Sequence, residues 1–232
     1  MTGDMLSLPS PGVSVVILAG GRSSRLRTAP IQCSNKAFLP VDGQPLIAGI
    51  VHKLATLSDD LTLVTNDPAP YGPLALPIRL VPDEEPGQGA LMGIYSGLNA
   101  ARHPRALVVA CDMPFLNLPL LRYMLSLADG SDVVIPQVDG LLEPLHAVYG
   151  KTCLPAMARL LSQGGRQIIA FFHEVRVRRV EEQEIDLFDP LHLSFVNVNT
   201  PVDWEEAQEL LRRQQQGQAS ARNDQAPEVT KS

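Results

Sequence analysis

The stretch Leu18-Ala19-Gly20-Gly21-Arg22-Ser23-Ser24-Arg25-Leu26 gathers the densest set of chemically useful residues in the chain. Two glycines directly after an apolar run let backbone N–H groups close on a phosphate, and Ser23 and Arg25 add further donors. The pattern is neither G-x-G-x-x-G nor a P-loop, because no Gly-Lys-Ser/Thr follows, and a bare Gly-Gly reads as an ordinary tight turn. With Lys36 downstream, the segment becomes an anion site supplied with mobile positive charge. A second candidate is Asp112, which follows the apolar run Leu107-Val108-Val109-Ala110 and precedes Met113-Pro114. A carboxylate there suits Mg²⁺, which takes one or two protein oxygens and fills its shell with waters and phosphates. The competing role is a helix-capping aspartate. Asn199 or Asn197 offers a second oxygen; equally, the pair forms a turn and cap before the last helix.

Other residues carry two readings each. Asp83, after Leu80-Val81-Pro82, is a ligand contact or a solvated loop charge beside Glu84 and Glu85. Asn66 is a ligand contact, or belongs to the turn Thr65-Asn66-Asp67-Pro68. Gly87, Gly89 and Gly93 admit a ligand against backbone, or shape a turn and a close helix contact. His146 lies in an apolar run, where a packed core histidine is expected over an acid or base. Cys111 reads as a small buried residue, with no base nearby in sequence. Arg176, Arg178 and Arg179 suit a phosphate, but a solvated edge strand accounts for them as well.

These residues need a scaffold that brings them to one place. Strands are expected at Ser14–Leu18, Leu61–Thr65, Ile78–Val81, Ala106–Ala110, Val133–Pro136, Val175–Val180 and Phe195–Val198. Helices are expected at Pro45–Leu57, Leu91–Ala101, Pro119–Ala128, Leu154–Ser162 and Pro201–Arg213. Val15–Leu18 and Leu107–Ala110 are apolar on both faces, as central parallel strands covered by helices on two sides would be. The alternation predicts a single Rossmann-like α/β domain with a mostly parallel, doubly wound sheet. Ligands in such sheets sit beyond the C-terminal strand ends, where the candidates above cluster. Thr200 is expected to cap the last helix, with Pro201 in its first turn, Asp203 at its positive end, and Trp204, Ala207, Leu210 and Leu211 as its apolar face. Residues 1–12 and 214–232 read as disordered ends of a domain spanning 13–213.

With 232 residues, 45% hydrophobic and 19% charged, the composition is that of a globular protein. The net charge of −6 disfavours a general nucleic-acid binder, which needs a basic face. No run of ~18 apolar residues predicts a membrane span. Residues 1–12 lack the basic start and apolar stretch of a secretory signal. Cys33, Cys111 and Cys153 are scattered and odd in number, which points to neither a disulfide framework nor a CxxC metal site and fits a reducing cytoplasm.

Taken in order, the motifs resemble the molybdenum cofactor guanylyltransferases, within the broader nucleotidyltransferase family. Leu18–Gly21, Ser23, Arg25, Lys36 and Gly43-Gln44-Pro45-Leu46 resemble that family's L-A-G-G-x-S-x-R loop, lysine and helix start. Asn66, Asp83, Gly89–Ile94, Cys111–Phe115, Glu143–Tyr149 and Asn197–Pro201 complete a set covering roughly residues 14–212. The interval from Arg25 to Lys36 is longer than the family's and is more like that of sugar-phosphate nucleotidylyltransferases; Leu26-Arg27 and Asn35 also depart from the pattern.

The resemblance implies transfer of GMP from GTP to Mo-molybdopterin, with release of pyrophosphate. It implies a nucleotide site at Leu18, Ala19, Gly20, Gly21, Lys36, Asn66, Asp83 and Asp112, in which the family's matching aspartate, here Asp83, contacts the guanine nucleotide. Arg25, Lys36 and Asp112 become the catalytic set, with Mg²⁺ held by Asp112 and Asn199. Proteins that handle molybdopterin or mature molybdoenzymes are the further partners it suggests. The alternatives are a cytidylyltransferase for the same cofactor, whose loop usually reads Ala-Ala-Gly, a sugar-1-phosphate nucleotidylyltransferase, and a non-catalytic nucleotide- or cofactor-binding module.

Overall fold

A computed structural model describes residues 12–19, 35–41, 43–198, 200, 202–210 and 212–213. Its centre is the strand predicted to carry the glycine loop. β1 (Val13–Leu18) is buried at every position and pairs in parallel with β4 (Leu61–Val64) on one side and β6 (Arg105–Ala110) on the other. β5 (Arg79–Val81) extends the parallel set beyond β4. On the far side of β6 lie β9 (His146–Gly150), β7 (Val133–Val138) and the edge strand β10 (Val177–Val180). β9 runs antiparallel to both neighbours, while β10 is parallel to β7. The two-residue β8 (Leu141–Leu142) folds back on the end of β7. A separate hairpin joins β2 (Pro40–Val41) to β3 (Gln44–Pro45). Across the sheet the order is β10-β7-β9-β6-β1-β4-β5.

Alternation of side chains divides the core in two. Val15, Ile17, Leu107, Val109, Val134 and Val148 join one apolar cluster. Val16, Leu18, Ala106, Val108, Val133 and Ile135, drawn from the same strands, join the other. The first is covered by α1 (Leu46–Leu54), α3 (Leu118–Ser126), the short α5 (Glu182–Ile185) and the last helix, α6 (202–210). α2 (Ala90–Ala100) and α4 (Leu154–Ser162) cover the second. The doubly wound, mostly parallel sheet expected from the two-faced apolar strands is therefore present. α3 is capped by Asn117, whose side chain accepts the Leu120 N–H at 3.0 Å. At α6 Thr200 Oγ1 accepts the Asp203 N–H, and Asp203 Oδ2 accepts the Thr200 N–H in return, so both orphan donors are satisfied. Trp204 and Ala207 are buried as expected; Pro201 and Leu211 lie outside the described residues, as do 1–11 and 214–232.

Two expectations fail. Phe195–Val198 is not a strand: Leu193–Phe195 forms a 3-10 turn, and the chain then passes Asp112 with one backbone bond, Val198 N–H to the Asp112 carbonyl at 3.0 Å. β10 begins at Val177 rather than Val175, because a 3-10 run over Ile168–Glu174 ends with the Val175 N–H on the Phe172 carbonyl. Both segments have strand-like composition, but each is held by turn hydrogen bonds in place of a full ladder.

At the end of the sheet where the parallel strands begin, Asp60 is buried among polar partners. Its carboxylate accepts from Ser14 Oγ at 2.6 Å, the Arg102 N–H at 2.8 Å and the Arg79 guanidinium at 2.7 Å. Burial alone would push its pKa up, but these donors together hold it below the usual carboxylate value. The network ties the starts of β1 and β4 to β5 and the end of α2.

Candidate active site

The order β5-β4-β1-β6 reverses direction between β1 and β6, and a crevice opens outside the strand ends at such a switch point. Here the chain leaving β1 and the chain leaving β6 run side by side. The Cys111 N–H donates to the Leu18 carbonyl at 3.0 Å, and the Ala19 N–H donates to the Val64 carbonyl at 3.0 Å. Asp112 is the next residue, so its carboxylate stands at the mouth of the crevice, 18% exposed. Lys36 reaches it from the other side, with Nζ 3.1 Å from Asp112 Oδ2.

Local sequence explains how Lys36 is presented. Asn35 caps the 3-10 turn Lys36–Phe38 by accepting the Ala37 N–H at 3.0 Å. Its amide also donates to the Tyr71 hydroxyl at 2.9 Å. Tyr71 is buried, packs against the Phe38 ring at 5.0 Å, and is pushed up to about 12 by that burial, against the lowering effect of Asn35. Its hydroxyl therefore stays protonated and anchors the turn. Asn35 and Tyr71 are positioning residues that the sequence gives little means of pairing, since 36 positions separate them.

One strand further along, Asn66 and Asp83 lock together after β4 and β5. Asn66 Nδ2 donates to Asp83 Oδ2 at 2.7 Å, and the Asp83 N–H donates to Asn66 Oδ1 at 3.0 Å. Gly93 on α2 faces the same spot: a Cβ there would sit 3.3 Å from Leu18 and 3.6 Å from Asp83 Oδ1. Leu18, Asp83 and Gly93 thus share one wall, and Lys36 with Asp112 forms the adjoining one. Gly20, Gly21, Ser23, Arg25 and Asn199 lie outside the described residues. Among the described residues no group of three or more His, Cys, Asp or Glu side chains is placed to hold a metal. Asp112 supplies a strand-end carboxylate beside Lys36, and one or two protein oxygens are what a Mg²⁺ carried in on phosphates needs.

Two tempting residues turn out to be structural. His146 is fully buried in β9, packs on Phe195 with ring centroids 5.0 Å apart, and neither ring nitrogen has a hydrogen-bond partner among the described residues. Burial lowers its pKa to about 4, with Asp189 opposing. The Cys111 thiol is pushed up to about 12 by burial and by neighbouring Asp112, against Lys36, so it is no thiolate nucleophile near neutral pH. On the far edge strand region, Arg176 is held by Asp132 and Arg178 by Glu184, at 3.2 and 2.6 Å.

The MobA-like NTP transferase domain family matches residues 15–180. The chain belongs to that family. A molybdenum cofactor guanylyltransferase of Desulfosudis oleivorans is 35% identical over 201 residues, covering 86% of this chain and 96% of its own. A probable molybdenum cofactor guanylyltransferase of Pelotomaculum thermopropionicum is 36% identical over 202 residues, covering 87% and 95%. Among solved structures, molybdopterin-guanine dinucleotide biosynthesis protein A from Archaeoglobus fulgidus superposes with a TM-score of 0.73 at 26% identity, covering 86% of this chain and 99% of its own. A 2-C-methyl-D-erythritol 4-phosphate cytidylyltransferase from Thermus thermophilus shares the fold, with a TM-score of 0.63 at 19% identity and coverage of 86% and 98%. No helix among the described residues is long and apolar enough to cross a membrane.

Proposed function

We propose that this MobA-like protein transfers GMP from GTP to the terminal phosphate of Mo-molybdopterin, giving molybdopterin guanine dinucleotide and pyrophosphate. An acceptor phosphate oxygen attacks the α-phosphorus, and the α–β bridging oxygen leaves with the pyrophosphate. The attacking oxygen is already anionic near neutral pH, so no strong general base is required, and buried His146 is not needed as one. What remains is positioning and charge neutralisation. The Lys36–Asp112 pair at the switch point is the observation that carries this reading: a cation for phosphate oxygens stands beside a carboxylate for a divalent ion.

Lys36 lies against the triphosphate, and Gly20 and Gly21 donate backbone N–H groups to it. Arg25 neutralises charge on the phosphates or the departing pyrophosphate. Asp83, braced by Asn66, accepts from the base edge of guanine, with Leu18 and Ala19 against the nucleoside. Asp112, whose backbone carbonyl accepts the Val198 N–H, would hold Mg²⁺ together with Asn199. Bound Mg²⁺ supplies Lewis-acid neutralisation of charge at the transferring phosphoryl group. Pyrophosphate release measured with each component omitted tests the reading. Release should require GTP, Mo-molybdopterin and a divalent metal together, whereas tight GTP binding without turnover would assign a non-catalytic module.

A further inference from the structure

Glu143 lies on the side of Asp112 away from the nucleotide wall. β9 runs antiparallel to β6 with Val109 opposite His146, and the Ala110 N–H continues the pairing to the Leu145 carbonyl at 3.1 Å. The strand therefore enters β9 at the same end of the sheet from which Asp112 emerges. Relative to β7 the entering segment is bulged: Gln137 opposes Leu142 and Val134 opposes Val148, so two residues of β7 face five. The Glu143 N–H on the Pro136 carbonyl and the His146 N–H on the Glu143 carbonyl, both at 3.0 Å, pin this bulge. Tyr149 Oη fixes it again through the Pro144 carbonyl at 2.8 Å. Bulges of this kind re-aim a side chain and recur beside active sites.

The bulge leaves the Glu143 carboxylate half-buried, with no ion pair or side-chain hydrogen bond among the described residues. Burial pushes its pKa up, and no cation among the described residues opposes the shift. A half-buried carboxylate without protein donors is left to water or to a ligand that brings donors to it. Along the ends of the strands the order is Asp83, Asn66, Ala19, Asp112, Glu143. Asp83 and Glu143 are thus four strand spacings apart, roughly 19 Å, with Lys36 and Asp112 between them.

We propose that Glu143 is a specificity residue of the acceptor subsite, its carboxylate accepting the ring N–H and exocyclic amino group of a 2-amino-4-oxopteridine. This rests on the guanylyl-transfer reading, in which both ends of the product are fused 2-amino-4-oxopyrimidines. Each presents two adjacent N–H donors, the pattern a carboxylate accepts with two parallel bonds. Asp83 serves that pattern on the guanine side and Glu143 on the pterin side.

The test compares wild type with Glu143→Gln, and with Glu143→Asp, which keeps the charge but shortens the reach. Glu143→Gln should raise the KM for molybdopterin at least about tenfold while leaving GTP affinity and the thermal midpoint unchanged. Glu143→Asp should fall between, and stands in if the glutamine variant folds poorly. Titration with 6-hydroxymethylpterin and with its 2,4-dioxo analogue should show wild type preferring the 2-amino compound and Glu143→Gln losing that preference. An unchanged molybdopterin KM in Glu143→Gln, with guanine dinucleotide still formed, overturns the subsite and leaves guanylyl transfer standing. A wild-type protein that makes no guanine dinucleotide but discriminates the two pteridines overturns the reaction and upholds the subsite.

Discussion

Asp112 separates a catalytic from a structural account in a single substitution. Asp112→Asn keeps the size and much of the hydrogen-bonding capacity but removes the charge, so transfer should fall by ~10³ or more while the thermal midpoint barely moves. Near-normal turnover of that variant at low magnesium would make Asp112 a structural partner of Lys36 and remove the centre of the proposed chemistry. His146 makes the opposite case, a titratable residue whose effect is on stability. Its folded pKa is near 4 and its ordinary value 6.5, so the unfolded chain binds the extra proton first as pH falls. Its contribution is complete above about pH 6.5 and is lost on acidification toward 4, roughly 3 kcal/mol in all. Urea midpoints across that interval should decline in wild type and decline less in His146→Leu; parallel curves would show that another group carries the dependence. The strand-end position of Asp112 and the role of His146 as a core residue were both legible in the sequence, from an apolar run ending in a carboxylate and from an apolar surrounding. Glu143 and the Asn35–Tyr71 brace were not, because each depends on contacts made across the fold.

The elements show why some of the scaffold could be read and some could not. β1 and β6 are apolar on both faces, as covered parallel strands are, and the structure buries them accordingly. β9 was missed as a strand although Asp139-Gly140, with φ of 49° and 75°, marks a hairpin turn after β7. An antiparallel strand inside a parallel set has no local signature beyond a short run such as Ala147-Val148-Tyr149, and the bulge at Glu143–Leu145 interrupts even that. Phe195–Val198 misled in the other direction, its strand-like residues serving to cover His146 and tether Asp112. Close packing between elements gives a further prediction. A Cβ on Gly97 of α2 would sit 2.3 Å from Val16 Cγ1, inside β1's packing. Gly97→Ala should therefore destabilise the fold by about 1–3 kcal/mol despite the better helix propensity of alanine; a raised thermal midpoint would show that α2 can shift away from the sheet. At the other end of the strands, Asp60→Ala strands the Ser14 hydroxyl and the Arg102 N–H, and denaturant unfolding should register a loss of about 3 kcal/mol. A loss below ~1 kcal/mol would mean that solvent already satisfies those donors.

For the molecule as a whole, the proposed division of labour follows the sheet order. Asp83 and Asn66 lie at one side of the strand ends, Glu143 at the other, and Lys36 with Asp112 stands where the two chains of connection part. A nucleotide and an acceptor laid along that line meet at the switch point. The chemistry then follows from charge already present, without a tuned acid or base. The longer segment between Arg25 and Lys36 does not disturb this placement, since Lys36 still reaches Asp112 at 3.1 Å. Base choice is the property that spacing alone reads least well, because one or two polar groups on a base edge decide it. The most direct measurement is therefore a competition in one vessel: protein, Mo-molybdopterin, Mg²⁺ and equal GTP, CTP, ATP and UTP, with the dinucleotide products resolved by mass. The account predicts the guanine dinucleotide as the dominant product, matched mole for mole by pyrophosphate; a predominance of the cytosine dinucleotide would contradict it.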